Sequence, residues 1–445
     1  MRIAQIAAGA AGMYCGSCLH DNTLAAAMLK MGHDVALIPT YTPIRTDEED
    51  VSIDQVFYGA INVFLEQKSA LFRHTPWLVD RLLNRPRLLQ WASNRGSSVQ
   101  ASKLGELTLS VLQGEHGKQA KELERLVSWL RDEQHPDIVT LPNSMFLGVA
   151  RRIREELRVP VLCSVQGEDL FLEQLEEPYR TEVARLMREK SRDVDGFLSM
   201  SRFYANYMAD YLAVEPARFH VVPLGLKLDG HGGHPGPGEG DPFVIGYLAR
   251  LCPEKGLHLL VEAVRLLAEQ VGRERVLLRV AGYCGERDQE YLAGVQEQVR
   301  LWGLDDRIDV LGEIDREQKI EFLGGLHALS VPTVYREPKG LFVLEALANG
   351  VPVVLPRHGA FPEMVDATGG GLLFEPGSTE ELAAGLRELM DHPERRSELG
   401  RNGKRAIHEH HSDTKMAEQT LELFRSYVSG AGRKRSESQR RLGAG

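Results

Sequence analysis

Residues 243–267 read Phe243-Val-Ile-Gly-Tyr-Leu248-Ala-Arg250-Leu-Cys-Pro-Glu-Lys255-Gly256-Leu-His-Leu-Leu-Val-Glu-Ala-Val-Arg-Leu-Leu267. A short apolar run ends in a polar turn, which opens into a stretch with apolar residues spaced three and four apart. The first part predicts a buried strand, Phe243–Leu248, and the last an amphipathic helix, Gly256–Leu267. The same unit recurs downstream. Val276–Ala281, Ile308–Leu311, Ala328–Pro332 and Val351–Leu355 read as strands, and Glu290–Trp302, Glu317–Leu323 and Leu341–Ala348 as the helices between them. Such alternation predicts a parallel sheet covered by helices on both faces.

Immediately upstream lies Asp229-Gly-His-Gly-Gly-His-Pro-Gly-Pro-Gly-Glu-Gly-Asp-Pro242, where glycine and proline defeat both helix and strand. It reads as a loop or linker. Before it the alternation is already present. Arg2–Ala7, Asp34–Pro39, Asp137–Leu141, Val159–Val165 and Gly196–Ser199 are strand candidates, with helices such as Asn22–Met31 and Ser144–Glu156. The expected fold class is α/β, two Rossmann-like domains facing across a cleft. The first domain is placed at 1–228, with an insertion at about 51–103, and the Gly/Pro stretch at 229–242. The second domain is placed at 243–411, followed by a helix at 412–430 returning to the first domain and a disordered basic tail at 431–445.

Bulk properties agree with two domains. A chain of 445 residues is too long for a single core. Apolar content of 43% and charged content of 26% are those of an ordinary globular protein. A net charge of -10 and a pI near 5.9 disfavour nucleic-acid binding. No run approaches the ~18 apolar residues of a membrane span, and no signal-peptide pattern follows Met1. Five cysteines make no disulfide framework, so a cytoplasmic chain with reduced thiols is expected.

The insertion breaks the alternation. Arg73, Arg81, Arg85, Arg87 and Arg95 interleave there with Trp77, Leu78, Leu82, Leu83, Leu88 and Trp91. A flap packed on the domain is the simpler reading. A basic amphipathic face also allows peripheral contact with the inner face of a membrane, or with an acidic acceptor.

Chemistry-bearing residues concentrate in the second half. Arg250 and Lys255 fall at the carboxyl end of a strand, where open α/β sheets bind ligands, and two cations there suit a diphosphate. In Tyr335-Arg-Glu337-Pro-Lys-Gly340-Leu-Phe-Val-Leu-Glu345-Ala-Leu-Ala-Asn-Gly350, a helix starts at Gly340. The amides of Gly340, Leu341 and Phe342 would be free to meet a phosphate or sugar hydroxyl. Glu345, a turn and a half into the helix, would accept from ribose hydroxyls. Eight residues of helix span about 12 Å, which is too far for the ~5 to ~9.5 Å carboxyl pairs of glycoside hydrolases. Glu337 and Glu345 therefore read as contacts at two ends of one extended ligand. Arg357-His-Gly359-Ala-Phe-Pro-Glu363 and Gly369-Gly-Gly371 form another candidate loop, which turn chemistry alone would also explain.

In the first half, Gly9-Ala-Ala-Gly12 follows the first strand without the GxGxxG order, and the second strand ends without the acid that a dinucleotide ribose requires. That counts against an NAD-dependent oxidoreductase. Cys15-Gly-Ser-Cys18 invites a redox or metal reading, but Cys163, Cys252 and Cys284 are scattered singly. Asp193-Val-Asp195 precedes a strand and reads as a surface turn.

With these residues placed, the chain resembles the family 4 (group 1) retaining glycosyltransferases of the GT-B fold, most strongly from Val222 to Pro376. The family's glutamate–seven residues–glutamate motif matches Glu337 and Glu345. Its phosphate loop matches Ala249-Arg250 through Lys255-Gly256, its domain-crossing motif Val221-Val-Pro-Leu-Gly225, and its glycine loop the region of Gly9 to Gly12. The resemblance implies a nucleoside-diphosphate sugar as donor, a carbohydrate or lipid-linked acceptor, no metal and no other cofactor. Arg250, Lys255 and Glu337 would be the catalytic groups. Gly12, Gly340, Leu341, Phe342 and Glu345 would complete the donor site, and Gln166 and Asp169 would face the sugar or acceptor.

Three departures stand out. Ala249 replaces a glycine, Lys339 an aromatic residue, and Gln166 a histidine. Glutamine can hydrogen-bond a hydroxyl but cannot act as a base. In this family the leaving phosphate is taken to accept the acceptor's proton. A nucleotide-sugar epimerase on the same architecture and a non-catalytic sugar-nucleotide-binding protein are the alternatives.

Overall fold

The computed structural model describes residues 1–9, 16–58, 104–233, 238 and 242–442. The chain forms two compact units, Met1–Gly225 with Asp413–Gly445, and Leu226–Ser412. The boundary falls within a few residues of the one drawn at 228.

In the first unit the strands are β1 (Arg2–Ala7), β2 (Asp34–Pro39), β3 (Ile138–Leu141), β4 (Val161–Val165), β5 (Gly196–Ser199) and β6 (Phe219–Val221). Its main helices are α1 (Gly16–Lys30), α2 (Gly105–Leu112), α3 (Ala120–Trp129), α4 (Leu147–Leu157), α5 (Asp169–Leu172), α6 (Tyr179–Lys190) and α7 (Arg202–Leu212). The strands are paired in parallel in the order β2-β1-β3-β4-β5-β6. β1 and β3 are neighbours, and the order reverses between them.

The second unit carries β7 (Phe243–Leu248), β8 (Val276–Ala281), β9 (Ile308–Gly312), β10 (Ala328–Leu329), β11 (Val353–Pro356) and β12 (Gly371–Phe374). Its helices are α8 (Leu257–Val271), α9 (Gln289–Leu301), α10 (Arg316–Gly324), α11 (Leu341–Ala348), α12 (Phe361–Thr368), α13 (Thr379–Asp391) and α14 (Pro393–His410). The parallel order β12-β11-β10-β7-β8-β9 is the Rossmann order, with its reversal between β7 and β10. At such a reversal the following loops leave in opposite directions and open a crevice at the carboxyl ends of the strands.

Central strands read as unbroken apolar runs because both faces are covered. Val353, Val354 and Leu355 are fully buried, whereas β9, at the sheet edge, alternates half-buried and exposed residues. One face of the first sheet packs Val139, Val161 and Val165 against Leu123, Leu126 and Ile153. The other packs Ile3, Leu37 and Ile138 against Met28 of α1 and against Met416, Leu421 and Phe424. Those last three lie on α15 (Asp413–Leu442), which thus supplies part of the first unit's core. Burying each such side chain is worth about 2 kcal/mol.

Two expectations change. The helix runs to Leu442, through the stretch whose composition predicts disorder from 431. Extending an established helix adds a hydrogen bond per residue and avoids a new nucleus, so a polar tail can follow it. The start of the Gly/Pro stretch is no free linker either. Gly232 N–H donates to Asn349 Oδ1 at 2.9 Å, Lys404 Nζ to the Gly232 carbonyl at 2.8 Å, and Arg316 to the Asp229 carbonyl at 2.6 Å. These bonds fasten it to the second unit.

The 10–15 loop with Gly12 and Cys15, and the insertion from 59 to 103, lie outside the described residues. Among those described, no helix is long and apolar enough to cross a membrane, and no cluster of His, Cys, Asp or Glu is arranged to hold a metal. Cys18, Cys163 and Cys252 are buried free thiols.

Candidate functional site

The β7–β10 reversal gathers the residues singled out in the second half. After β7 the chain turns through Arg250 and a short helical turn, Pro253–Lys255, and enters α8 at Gly256. Gly256 has φ +72°, and a Cβ there would overlap the Pro332 carbonyl oxygen. Glycine at this position lets the Lys255 turn close onto the segment that follows β10. That segment carries Tyr335 and Glu337.

Lys255 Nζ donates to Glu337 Oε2 at 2.6 Å and to the Tyr335 hydroxyl at 2.9 Å. The Tyr335 hydroxyl in turn donates to Glu337 Oε2 at 2.6 Å. The Lys255 and Glu337 side chains are only 12% and 6% exposed. The ammonium also lies 5.1 Å from the Tyr335 ring centroid and 5.6 Å from that of Phe342. Two aromatic faces thus help to hold a cation in a partly dry site.

Burial pushes the Glu337 carboxyl up. The Lys255 charge outweighs this, with hydrogen bonds from Lys255, Tyr335 and the Gly340 amide, and holds it below the usual carboxylate range. Burial, then the Glu337 charge, drives the Tyr335 phenol well above its ordinary value. Tyr335 is therefore a neutral hydrogen-bond donor at physiological pH.

Glu337 also organises the start of α11. Its Oε1 lies 3.3 Å from the Gly340 amide, and its carbonyl accepts from Ala360 N–H at 2.8 Å. Gly340 caps the helix with φ +70°. The Leu341 and Phe342 amides have no hydrogen-bond partner among the described residues. The expected trio is thus reduced to two open donors plus one that Glu337 already approaches.

Glu345 is 4% exposed and pairs with Lys319 Nζ of α10 at 2.6 Å. Lys319 and Tyr335 were not anticipated. Tyr335 stands two residues before Glu337 in the same loop, a signal available in the sequence. Lys319 reaches Glu345 only through the packing of α10 and has no such signal. His358, in the third candidate loop, bonds the Thr333 carbonyl at 2.9 Å. Gly359 (φ +61°) lets that loop pass against the Glu337 backbone.

In the first unit, Gln166 and Asp169 follow β4. Gln166 Nε2 donates to Asp21 Oδ1 at 3.1 Å and to the Pro142 carbonyl at 3.1 Å. Glu168 Oε1 accepts from Ser144 N–H at 2.9 Å and Ser144 Oγ at 2.6 Å. The Tyr204 hydroxyl donates to Asp169 Oδ1 at 2.7 Å. Burial, with the like charge of Glu168, raises the Asp169 carboxyl against that hydrogen bond. Asp21 of α1 was not anticipated, since it stands far from Gln166 in sequence. Asp195 supports structure, accepting from Val161 N–H at 2.9 Å, in line with the surface-turn reading.

With this geometry in hand, the comparisons fall on both units. Residues 235–406 match the family model described as glycosyl transferases group 1, and residues 22–225 that of a glycosyl transferase 4-like domain. The MMP alpha-(1->4)-mannosyltransferase of Mycolicibacterium hassiacum is 27% identical over 246 residues, covering 55% of this chain and 57% of that protein. The alpha-maltose-1-phosphate synthase of Mycolicibacterium smegmatis is 30% identical over 234 residues, covering 48% and 58%. The chain spans about half the length of the curated relatives it matches.

Among solved structures, sucrose-phosphate synthase of Thermosynechococcus elongatus gives a TM-score of 0.71 at 18% identity, covering 96% of this chain and 99% of that one. HepE of Anabaena, in complex with UDP, gives 0.67 at 17% identity, covering 96% and 100%.

Proposed function

Since the chain belongs to the group 1 glycosyltransferases, family 4, and has their GT-B fold, we propose that it transfers a sugar from a nucleoside-diphosphate sugar to a hydroxyl acceptor, with retention at the anomeric carbon. The observation that carries this reading is the buried Lys255–Glu337 pair at the carboxyl ends of β7 and β10.

In this reading the Lys255 ammonium, held against Glu337 in the structure, is the charge that meets the donor's diphosphate. A diphosphate competes for that ammonium and leaves the Glu337 carboxylate to accept from sugar hydroxyls. Arg250, on the turn after β7, adds a second cation with a fork of donors. The open Leu341 and Phe342 amides supply donors at a helix N-terminus, where anions are favoured. Glu345, with Lys319 beside it, accepts from the ribose.

Charge developing on the leaving diphosphate is then met by fixed cations, each worth a few kcal/mol in such settings. Two cations do the work for which other transferases recruit a metal. The proton of the attacking hydroxyl passes to the leaving phosphate on the same face, which leaves Gln166 no need to be a base.

The HepE structures with UDP and with UDP-glucose support a nucleotide sugar as co-substrate, and relatives named as mannosyl- and glucosyltransferases support sugar transfer. The test is a thermal-shift panel of UDP, GDP and ADP. At 100 times its Kd a ligand adds about 2.7 kcal/mol, a readily measured rise in Tm. A chain that none of the three stabilises does not have this function. Incubation with donor alone separates transfer from epimerisation, because an epimerase converts the donor without an acceptor, whereas a transferase shows at most slow hydrolysis.

A further inference from the structure

α1 places a second polar cluster at the other strand reversal, between β1 and β3. His20 is 9% exposed and Asp21 4% exposed. His20 Nδ1 lies 3.0 Å from Asp21 Oδ1. The same oxygen receives Gln166 Nε2 at 3.1 Å, and the other Nε2 hydrogen goes to the Pro142 carbonyl at 3.1 Å. Two acceptors on one side fix the orientation of the Gln166 amide, so Asp21 is the acceptor of the group. Gln5 Nε2 donates to the Asp21 carbonyl at 3.1 Å and ties α1 to β1.

This arrangement decides which nitrogen of His20 carries the proton. A carboxylate only accepts, so Nδ1 must donate. In the neutral imidazole Nε2 is then a bare lone pair. Nε2 has no hydrogen-bond partner among the described residues, and it is not sealed from solvent. A cavity of about 20 Å³, bordered by the polar His20, Asp21, Gln5 and Thr140 and by the apolar Ile6, Leu24 and Phe424, adjoins this cluster. That is room for about one water, or for one hydroxyl group, and not for a sugar ring. Pro142, Met200 and Val222, which directly follow β3, β5 and β6, also border it. The cavity therefore reaches the carboxyl edge of the sheet, where such folds bind ligands.

We propose that His20, with its tautomer set by Asp21, is the acceptor-binding group of the first unit: its Nε2 lone pair receives the hydrogen bond of an acceptor hydroxyl other than the one that is glycosylated. The ligand class is a polyhydroxy compound, a sugar or cyclitol, that presents one hydroxyl to a water-sized hole. This rests on the transferase reading. It gives the acceptor a hydrogen-bond acceptor that Gln166, with both amide hydrogens committed to Asp21 and Pro142, helps to position. Asp21 and Gln166 act through His20 and are positioning residues.

Two experiments on the full chain test this. In protein labelled with ¹⁵N-histidine, long-range ¹H–¹⁵N spectra, assigned against His20→Ala, should show His20 with Nδ1 protonated and Nε2 bare. Asp21→Asn should abolish that preference. A proton resting on Nε2 overturns the proposal.

The second experiment measures transfer from UDP-glucose and GDP-mannose to glucose, mannose and myo-inositol as probe acceptors, with nucleotide affinity measured in parallel. His20→Ala and His20→Phe should lower transfer at least about 100-fold while nucleotide Kd moves less than about threefold. His20→Gln, which keeps an accepting oxygen, should recover about tenfold of the loss. Transfer within about threefold of the parent in folded His20→Ala would mean that the hole holds only structural water, and overturns the assignment. A parent chain that binds no nucleotide strikes the transferase reading instead, while the tautomer still decides for or against His20.

Discussion

The ammonium of Lys255 is 2.6 Å from the carboxylate of Glu337, in a site where neither side chain is more than 12% exposed. Removing one member of such a pair leaves an uncompensated buried charge, which typically costs about 3–5 kcal/mol, whereas removing both can be nearly neutral. Lys255→Met and Glu337→Gln should therefore each destabilise the second unit. The double variant should be less destabilised than the sum, as read by urea denaturation. Turnover should fall at least about 100-fold in Lys255→Ala and in Glu337→Ala. Near-parental rates in folded variants would remove both residues from the chemistry.

The same pair predicts an acid response. Because the folded Glu337 carboxyl titrates below its ordinary value, its contribution is complete above the unfolded value near ~4.3 and is lost as pH falls through the lower folded value. Urea midpoints should drop more steeply between about pH 5 and pH 3 in the parent than in Lys255→Met/Glu337→Gln. Parallel curves for the two proteins would argue against the shift.

Tyr335→Phe keeps the ring under the Lys255 ammonium and deletes only the hydroxyl that donates to Glu337. The expected cost is about 1–3 kcal/mol in stability, since Glu337 loses one of its donors. Turnover should fall by roughly tenfold, less than for Lys255→Ala. A loss as large as that of Lys255→Ala would give the hydroxyl a direct role.

Three glycines with similar positive φ separate backbone strain from close packing. Gly303 (φ +63°) has nothing within 4 Å of an added Cβ, whereas Gly256 (φ +72°) faces the Pro332 carbonyl and Gly340 (φ +70°) the Met364 sulfur at 3.0 Å. Alanine at 303 should cost only the left-handed penalty, roughly 1–2 kcal/mol. Alanine at 256 should cost clearly more, with 340 between, and should impair nucleotide binding as well. Equal costs at 256 and 303 would show that the Lys255 turn tolerates displacement.

Lys319→Met should expose the Glu345 relationship in the same way. An unpaired Glu345 inside α11 is expected to destabilise by about 3 kcal/mol, with a partial rescue by Glu345→Gln. Nucleotide affinity should weaken in both single variants. An unchanged Kd would separate the ion pair from ligand binding.

Much of this was legible because period and punctuation are local. The predicted β1, β2, β5, β7 and β8 coincide with the observed strands, and Leu341–Ala348 is the helix as expected, set by Gly340 before it and Gly350 after it. β6 escaped notice because Phe219–Val221 is too short to show alternation. β12 escaped because Gly369-Gly-Gly371 reads as a turn while Gly371 already pairs with Val353. Ala328–Pro332 proved shorter than its apolar run, since only Ala328–Leu329 keeps ladder pairing.

Within the site, spacing was enough to single out Glu337 and Glu345. Their partners Lys255 and Lys319 are joined to them by strand order and helix packing, which sequence distance does not encode. His20 and Asp21 fell just before the expected helix Asn22–Met31, whereas the observed α1 begins at Gly16 and includes them. Their role depends on β4 delivering Gln166 to the same spot.

The docking of α15 has a consequence for biosynthesis. Residues 226–412 form a contiguous unit that can fold as soon as they leave the ribosome. The first unit is translated earlier yet must wait for Met416, Leu421 and Phe424 to emerge before the second face of its sheet is fully covered. Until then the face formed by Ile3, Leu37 and Ile138 has only α1 against it and lacks the cover that α15 supplies. The part of the protein made first is the last to be completed.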